Sequence, residues 1–145
     1  MTTVLADWHL GLMVSDSQVS DHDRKWSQRK VFRVRKALVG YAGDCSQAEQ
    51  FLAWYRDGCS SKPPRLDKFS ALVMSAEGLW HYERNHIPQP VASGREAIGS
   101  GAKAAMVGYQ LMGWTEARRV VRAVCDHDAG SRTPVRSYRL IHESN

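Results

Sequence analysis

The chain has 145 residues, of which 43% are hydrophobic, with a formal net charge of +5 and a mean hydropathy of -0.45. This length predicts one globular domain over residues 1–145, whose core needs no disulfide or metal for support. No apolar run approaches the roughly 20 residues that cross a bilayer, and the start lacks the basic and apolar regions of a signal peptide. We therefore expect a cytoplasmic protein without a membrane partner.

The net positive charge raises the question of a nucleic-acid partner. The basic residues between Arg29 and Lys36 alternate with apolar ones, as on a half-exposed strand. They accompany no DNA- or RNA-binding motif, so a nucleic-acid partner is not expected. The cysteines, Cys45, Cys59 and Cys125, are far apart, and the six histidines show no metal-binding spacing. We predict reduced thiols, no metal site and no cofactor.

The first half of the chain reads as two β-hairpins followed by a helix. The predicted strands are Thr3–Ala6, Leu10–Ser15, Lys30–Val34 and Ala37–Tyr41, with a polar loop at 20–28 between the hairpins. Ser46 and Glu49 form a capping box that opens the helix. The helix is predicted to end at Gly58. Its apolar face has helical spacing and consists of Ala48, Phe51, Leu52 and Tyr55.

The second half begins after a polar, proline-containing segment at Cys59–Lys68. It predicts a third hairpin, a loop at 85–94, a short strand, two helices and a last strand. The hairpin strands are predicted at Ala71–Met74 and Leu79–Glu83, the short strand at Ala97–Gly101 and the first helix at Ala102–Met112. The second helix is predicted to be capped by Thr115, with an apolar stripe of Ala117, Val120, Val121 and Val124, and the last strand is predicted at Val135–Ile141. This order predicts an α+β fold of antiparallel sheets with helices outside.

Thr2 is the first candidate for catalysis. A methionine before a small hydroxyl residue is usually removed, which would leave Thr2 with a free amine beside its hydroxyl. An α-amine has a pKa of about 8 and can accept the hydroxyl proton, so nucleophile and base would lie on one residue. Threonine is common at position 2, and the assignment therefore depends on the rest of the chain.

Six short motifs occur in a specific order along the chain. They are Thr2-Thr3-Val4-Leu5, Val14-Ser15-Asp16-Ser17-Gln18, Arg29-Lys30-Val31, Tyr41-Ala42-Gly43-Asp44, Ile98-Gly99-Ser100-Gly101 and Asp128-Ala129-Gly130-Ser131. Each motif is weak evidence alone. Together with the intervening elements, they resemble the proteasome β-subunit family of N-terminal nucleophile hydrolases, and most closely its bacterial HslV branch.

This resemblance implies a four-layer αββα sandwich, the Ntn-hydrolase fold, in which helices flank two antiparallel sheets. The segment Cys59–Lys68 replaces most of a helical region of the family, so one helix is expected to be shortened or missing. The implied activity is that of a threonine-type endopeptidase. The implied partners are further copies of the chain in stacked rings, an ATP-dependent unfoldase ring and unfolded polypeptide substrates.

The resemblance also implies roles for individual residues. Thr2 would attack the peptide carbonyl, with Lys30 and Asp16 favouring its alkoxide and the backbone N–H of Gly43 binding the oxyanion. The threonine amine would be surrounded by Ser100, Asp128 and Ser131. The substrate pocket would be lined by Val19, Ser20, Tyr41 and Cys45.

Two other functions fit the same fold. One is a ring or scaffold subunit without catalytic activity, in which Met1 is retained or the site geometry is unproductive. The other is an amidohydrolase of the same nucleophile superfamily that acts on a small substrate in an open pocket.

Overall fold

The structure is a computed structural model that describes residues 2–21, 24–84, 87–128 and 134–140. For residues 18–21 and 24–27 only the backbone is described. Within these ranges no helix has both the length and the apolar character needed to span a membrane.

The strands and helices follow one another in a mixed order. The strands are β1 (Thr3–Asp7), β2 (Leu12–Ser15), β3 (Gln18–Asp21), β4 (Arg24–Ser27), β5 (Val31–Val34), β6 (Ala37–Gly43), β7 (Phe69–Ser75), β8 (Gly78–Tyr82), β9 (Gln89–Pro90), β10 (Arg95–Gly99) and β11 (Arg136–Arg139). The helices are α1 (Cys45–Arg56), α2 (Ala102–Leu111) and α3 (Ala117–His127).

Two antiparallel sheets form the centre of the molecule. One has the strand order β10-β1-β2-β11, and the other has the order β5-β6-β7-β8-β9. The three predicted hairpins are confirmed as β1–β2, β5–β6 and β7–β8. A 3-10 turn at Trp8–Leu10 joins the first pair and ends at Gly11, whose φ of 59° suits glycine. The two-residue strand β9 lies in the stretch that was predicted to be a loop.

The predicted polar loop at 20–28 is wrong. Most of this stretch belongs to a separate antiparallel pair, β3–β4, with registers from Gln18↔Ser27 to Asp21↔Arg24. Its residues show no apolar alternation because the pair belongs to neither main sheet. Backbone pairing therefore forms strands here without the hydrophobic period that predicts them.

The hydrophobic residues form three layers of core. Between the sheets, residues such as Val4 and Met13 face Leu38 and Leu72. Phe51 of α1 packs on the outer face of the five-stranded sheet, and α2 and α3 pack on the outer face of the other sheet through residues that include Tyr109. The predicted four-layer αββα sandwich is confirmed, with α1 followed by the non-helical segment 59–68.

The helix starts differ from the predicted caps. Asp44 rather than Ser46 is the N-cap of α1, because its carboxylate accepts the backbone N–H groups of Ser46 and Gln47. At α3 the N-cap is Glu116, which makes no side-chain capping bond, while the Thr115 hydroxyl donates to the carbonyl of Met112. The predicted apolar stripe of α3 is fully buried.

Gly40 marks the closest approach of the two sheets. A Cβ at this position would lie 2.7 Å from Met13 Sδ and 2.9 Å from Val4 Cγ1. Its backbone does not lie in the left-handed region, so the constraint at Gly40 is one of packing. The inter-sheet spacing at this point therefore depends on the absence of a side chain.

We predict that Gly40→Ala lowers the free energy of unfolding by about 1 to 3 kcal/mol, because the methyl group overpacks the inter-sheet core. Urea unfolding of Gly40→Ala, Met13→Ala and the double variant measures the effect. The double variant should lose less unfolding free energy than the two single variants lose in sum, since shortening Met13 makes room for the methyl group. Strictly additive costs would contradict this account.

Candidate active site

Thr2 lies immediately before β1 and is only 3% exposed. It contributes to the wall of a cavity of about 490 Å³, together with Gly43 and Ser100. Gly99 of the neighbouring strand approaches it so closely that a Cβ there would lie 1.8 Å from the Thr2 carbonyl oxygen. With a φ of +98°, Gly99 is also in a backbone region that favours glycine. The glycine therefore permits the position that Thr2 occupies at the cavity.

A buried ion pair lies beside the start of β1. Asp16 and Lys30 are 0% and 1% exposed, and Lys30 Nζ lies 3.0 Å and 3.1 Å from the two Asp16 carboxylate oxygens. Asp16 Oδ1 also accepts the Thr3 backbone N–H at 2.9 Å, and the Asp16 N–H donates to the Thr3 carbonyl. One carboxylate thus connects the lysine to the residue next to Thr2.

Burial dominates the electrostatics of this pair. It lowers the pKa of Lys30, and the adjacent Asp16 carboxylate opposes that shift. The pKa of Cys125 on α3 is raised to about 11, chiefly by burial. The negative charge of Asp16 adds to this shift, and the positive charge of Lys30 opposes it. A lysine with a lowered pKa next to a fixed carboxylate can exchange a proton more readily than a solvated one.

Gly43 ends β6 at the edge of the same cavity. Its φ is +114°, and a Cβ would lie 2.2 Å from the Lys68 carbonyl oxygen. The same carbonyl accepts the backbone N–H of Asp44 at 2.9 Å. The turn from β6 into α1 is therefore fixed by the residue just before β7, and a larger residue at position 43 is excluded.

Ser100, which lines the cavity, contacts Asp128. The Ser100 hydroxyl donates to Asp128 Oδ2 at 2.7 Å, which joins the end of β10 to the C-cap of α3. The structure therefore brings together two of the three residues predicted to surround the amine. The third, Ser131, lies outside the described residues.

The predicted substrate pocket is only partly described. The Tyr41 hydroxyl lies 3.5 Å from Cys45 Sγ, which in turn lies 4.0 Å from Gln28 Oε1. Tyr41 also packs in the core against α1, so it serves the fold as well. Val19 and Ser20 lie on β3, opposite Trp26 and Lys25, and their side chains are outside the described part. Of the two whose side chains are described, neither Tyr41 nor Cys45 lines the cavity that contains Thr2.

Several residues at the site were not predicted from the sequence. Ser17 is fully buried, and its hydroxyl donates to the Pro134 carbonyl at 2.6 Å, which anchors the turn that carries Asp16. The cavity is also lined by Asp67, Glu83 and Arg84. Two registers bring them to this cavity: Phe69 pairs with Gly43 between β6 and β7, which places Asp67, and Ala71 pairs with Tyr82 between β7 and β8, which places Glu83 and Arg84. These registers are the signal that would have identified them.

A search for a metal site among the described residues finds no group of three or more His, Cys, Asp or Glu side chains that could hold an ion. The three cysteines are free. The chemistry that the described site can support is that of its hydroxyl, ammonium and carboxylate groups.

Comparison with solved structures places this geometry in a known fold. The chain aligns with eukaryotic HslV from Trypanosoma brucei at 24% identity and a TM-score of 0.75, covering 97% of this chain and 100% of that one. The chain has the HslV fold. This confirms, at the level of fold, the predicted resemblance to HslV and the proteasome β-subunits.

Two structures of BPH from Thiobacillus denitrificans show the same HslV-like fold, each at 17% identity and 97% coverage of this chain. The one in complex with epoxomicin has a TM-score of 0.71 and is covered over 100% of its length, and the other has a TM-score of 0.69 and 99% coverage. No protein-family model matches the sequence, and no curated protein sequence is significantly similar to it.

We predict that Asp16→Asn destabilises this HslV-like fold by about 3 to 5 kcal/mol, because it leaves the buried Lys30 ammonium without its counter-charge. Without Asp16 the pKa of Lys30 falls further below its unfolded value. The unfolded state then binds more protons than the folded state between the lowered pKa and about 10.5, so the stability of Asp16→Asn should rise with pH across that window.

Urea unfolding at several pH values from 7 to 10 measures both effects. The control is Asp16→Asn combined with Lys30→Met, which removes the charge and should abolish the extra rise of stability with pH. An identical pH dependence in the single and double variants would contradict the assignment to Lys30.

Proposed function

We propose that the chain is a threonine-type peptidase subunit that hydrolyses peptide bonds with Thr2 after removal of Met1. The observation that carries the proposal is the buried Asp16–Lys30 pair, hydrogen-bonded to Thr3, next to a threonine that lines a cavity. A buried ion pair is a poor source of stability, so its retention beside a potential nucleophile favours a chemical role. The peptidase fold of HslV and BPH supports the same conclusion.

In the acylation step, Thr2 Oγ attacks the carbonyl carbon of the scissile bond. The free amine of Thr2 accepts the hydroxyl proton, and the carbonyl oxygen becomes the oxyanion of a tetrahedral intermediate. The amine then gives that proton to the leaving nitrogen as the C–N bond breaks. The products are an ester on Thr2 and a peptide with a new amino terminus.

The surrounding residues stabilise this sequence electrostatically. The Lys30 ammonium favours the alkoxide of Thr2, and Asp16 holds that ammonium in place. The backbone N–H of Gly43 donates to the oxyanion, a type of contact worth roughly 3 to 4 kcal/mol where it has been removed. Ser100, Asp128 and Ser131 orient the amine by hydrogen bonds.

In deacylation the same amine again acts first as base and then as acid, with water in place of the Thr2 hydroxyl as the nucleophile. The amine accepts a proton from water, the resulting hydroxide attacks the ester carbonyl, and the proton returns to Thr2 Oγ as the ester bond breaks. The pocket residues Val19, Ser20, Tyr41 and Cys45 hold the side chain before the scissile bond. The enzyme is regenerated without a cofactor.

Assembly is part of the same proposal. We infer that copies of the chain form stacked rings that enclose the Thr2 sites, that an ATP-dependent unfoldase ring supplies unfolded polypeptide, and that both act in the cytoplasm. The support is the resemblance to HslV and proteasome β-subunits, over a fold that covers 97% of the chain. Native mass spectrometry measures the number of copies directly.

We predict that purified protein lacks Met1 and gains one β-lactone adduct per chain, because only an N-terminal threonine combines an activated hydroxyl with an adjacent amine. Thr2→Ala should gain no adduct and should lose peptide hydrolysis. Intact mass spectrometry measures the adduct, and fluorogenic peptides measure the hydrolysis.

Thr115→Ala is the matched control, since Thr115 is exposed and does not line the cavity. It should label and cleave like the original protein. Retained Met1 with no adduct would refute the peptidase proposal and indicate a subunit without catalytic activity. An adduct together with hydrolysis of small amides but of no peptide would indicate an amidohydrolase.

We predict that Ser100→Ala lowers kcat about tenfold, or roughly 1.4 kcal/mol in activation free energy. Loss of the hydroxyl removes a hydrogen bond that disperses the negative charge of Asp128, so this carboxylate stabilises the protonated amine more strongly, the amine pKa rises and the rising limb of activity moves to higher pH. Ser93→Ala, at the other end of β10, is the control and should leave the pH profile unchanged. An unshifted profile in Ser100→Ala would contradict the role of this pair.

A further inference from the structure

A second cavity of about 560 Å³ adjoins the one that contains Thr2. Asp67 and Arg84 line both cavities, so they stand at the junction. The rest of the second cavity is formed by the segment from Lys62 to Leu66, within the non-helical segment 59–68. The two cavities therefore adjoin at these two residues, and together they are called the track beside Thr2.

The basic side chains of this track are available to a ligand. Lys62, Arg65 and Arg84 have no carboxylate within 4 Å in the part of the chain that the structure describes, and all three are exposed. Positive charge on the track is thus not neutralised by close ion pairs.

The acidic side chains of the track are those of Asp67 and Glu83. Asp67 Oδ1 accepts a hydrogen bond from Gln47 Nε2 at 2.8 Å, and Glu83 Oε1 lies 3.5 Å from His81 Nε2. The hydrogen bond from Gln47, with smaller contributions that include Arg84, holds the pKa of Asp67 below its usual value. Both carboxylates keep their negative charge, but Glu83 lines only the cavity that contains Thr2. The second cavity is lined by three basic side chains and one carboxylate, so an excess of positive charge remains there to attract an anion.

The second cavity combines this charge with an apolar surface. Pro63 and Pro64 line it beside Leu66, which is fully buried. Prolines restrict the backbone, so the surface loses little conformational entropy when a ligand binds. A ligand that fits has an apolar part for the prolines and a carboxylate for the arginines.

We propose that this second cavity is a substrate subsite that selects an acidic side chain a few residues from the scissile bond. The inference rests on the proposed peptidase function, since the occupant is a polypeptide whose scissile carbonyl lies at Thr2. Arg84 and Arg65 bind the carboxylate, and Pro63 and Pro64 contact the adjoining apolar part of the peptide. Substrates with glutamate or aspartate at that position are the preferred class.

The test uses a peptide series with one fixed cleavage site and Glu, Gln or Lys at each of three positions on either side. At one position, kcat/KM should be about tenfold higher for Glu than for Gln, and lowest for Lys. The preference should shrink in 0.5 M NaCl, because the charges are exposed. The variant with Arg65→Gln and Arg84→Gln should lose the preference.

The matched control carries Arg118→Gln and Arg122→Gln, which remove the same charge from the exposed face of α3. This control should keep the Glu preference. A Glu/Gln ratio below twofold at every position, or a ratio that persists in the Arg65/Arg84 variant, would overturn the subsite. Native mass spectrometry provides a further check. If the Arg65/Arg84 variant, but not the control, assembles into a different number of copies, the surface is an interface between copies and the subsite is overturned.

A binding measurement separates failure of the subsite from failure of the peptidase proposal. Fluorescence anisotropy of labelled Glu and Gln peptides on the Thr2→Ala protein needs no catalysis. About tenfold tighter binding of the Glu peptide, lost in Arg65→Gln with Arg84→Gln, supports the subsite even where no peptide is cleaved. Equal binding of the two peptides overturns it even where β-lactone labelling and hydrolysis establish the peptidase.

Discussion

The Asp16–Lys30 ion pair is the interaction on which the rest of the site depends. It joins the end of β2 to the residue before β5 and, through the Thr3 N–H, to the start of β1. Two charges removed from water are costly unless their hydrogen bonds are satisfied, and here the carboxylate has both the ammonium and a backbone donor. The pair therefore fixes the two sheets relative to each other at the point where Thr2 meets the cavity.

Close backbone contacts provide the second constraint. Gly99 lies against the Thr2 carbonyl, Gly43 lies against the Lys68 carbonyl, and Gly101 lies against the Thr3 side chain. None of these positions has room for a Cβ without a shift of its neighbours. Because backbone is stiffer than side chains, such contacts hold the cavity walls within a narrow range of positions. The site is thus shaped by main-chain geometry before any side chain takes part.

The sequence predicts those parts of the structure that have a local signal. Hairpins with β-prone strands and helices with apolar stripes were identified correctly, whereas β3–β4 has no apolar period and was missed. The motif resemblance identified Asp16 and Lys30, which the structure pairs. Arg84 was not predicted, since its place in the cavity that contains Thr2 follows from the β6–β7 and β7–β8 registers and not from any local pattern.

The non-helical segment 59–68 connects these observations. Its last residue, Lys68, accepts the Asp44 N–H and so fixes the turn at Gly43, while its middle residues form the second cavity. The same segment therefore sets the geometry at Gly43 and supplies a charged surface next to it. Loops held by a rigid scaffold commonly carry specificity, since they change without disturbing the core. The segment contributes no residue to the buried Asp16–Lys30 pair, so a change within it alters what can bind beside the site without removing the pair.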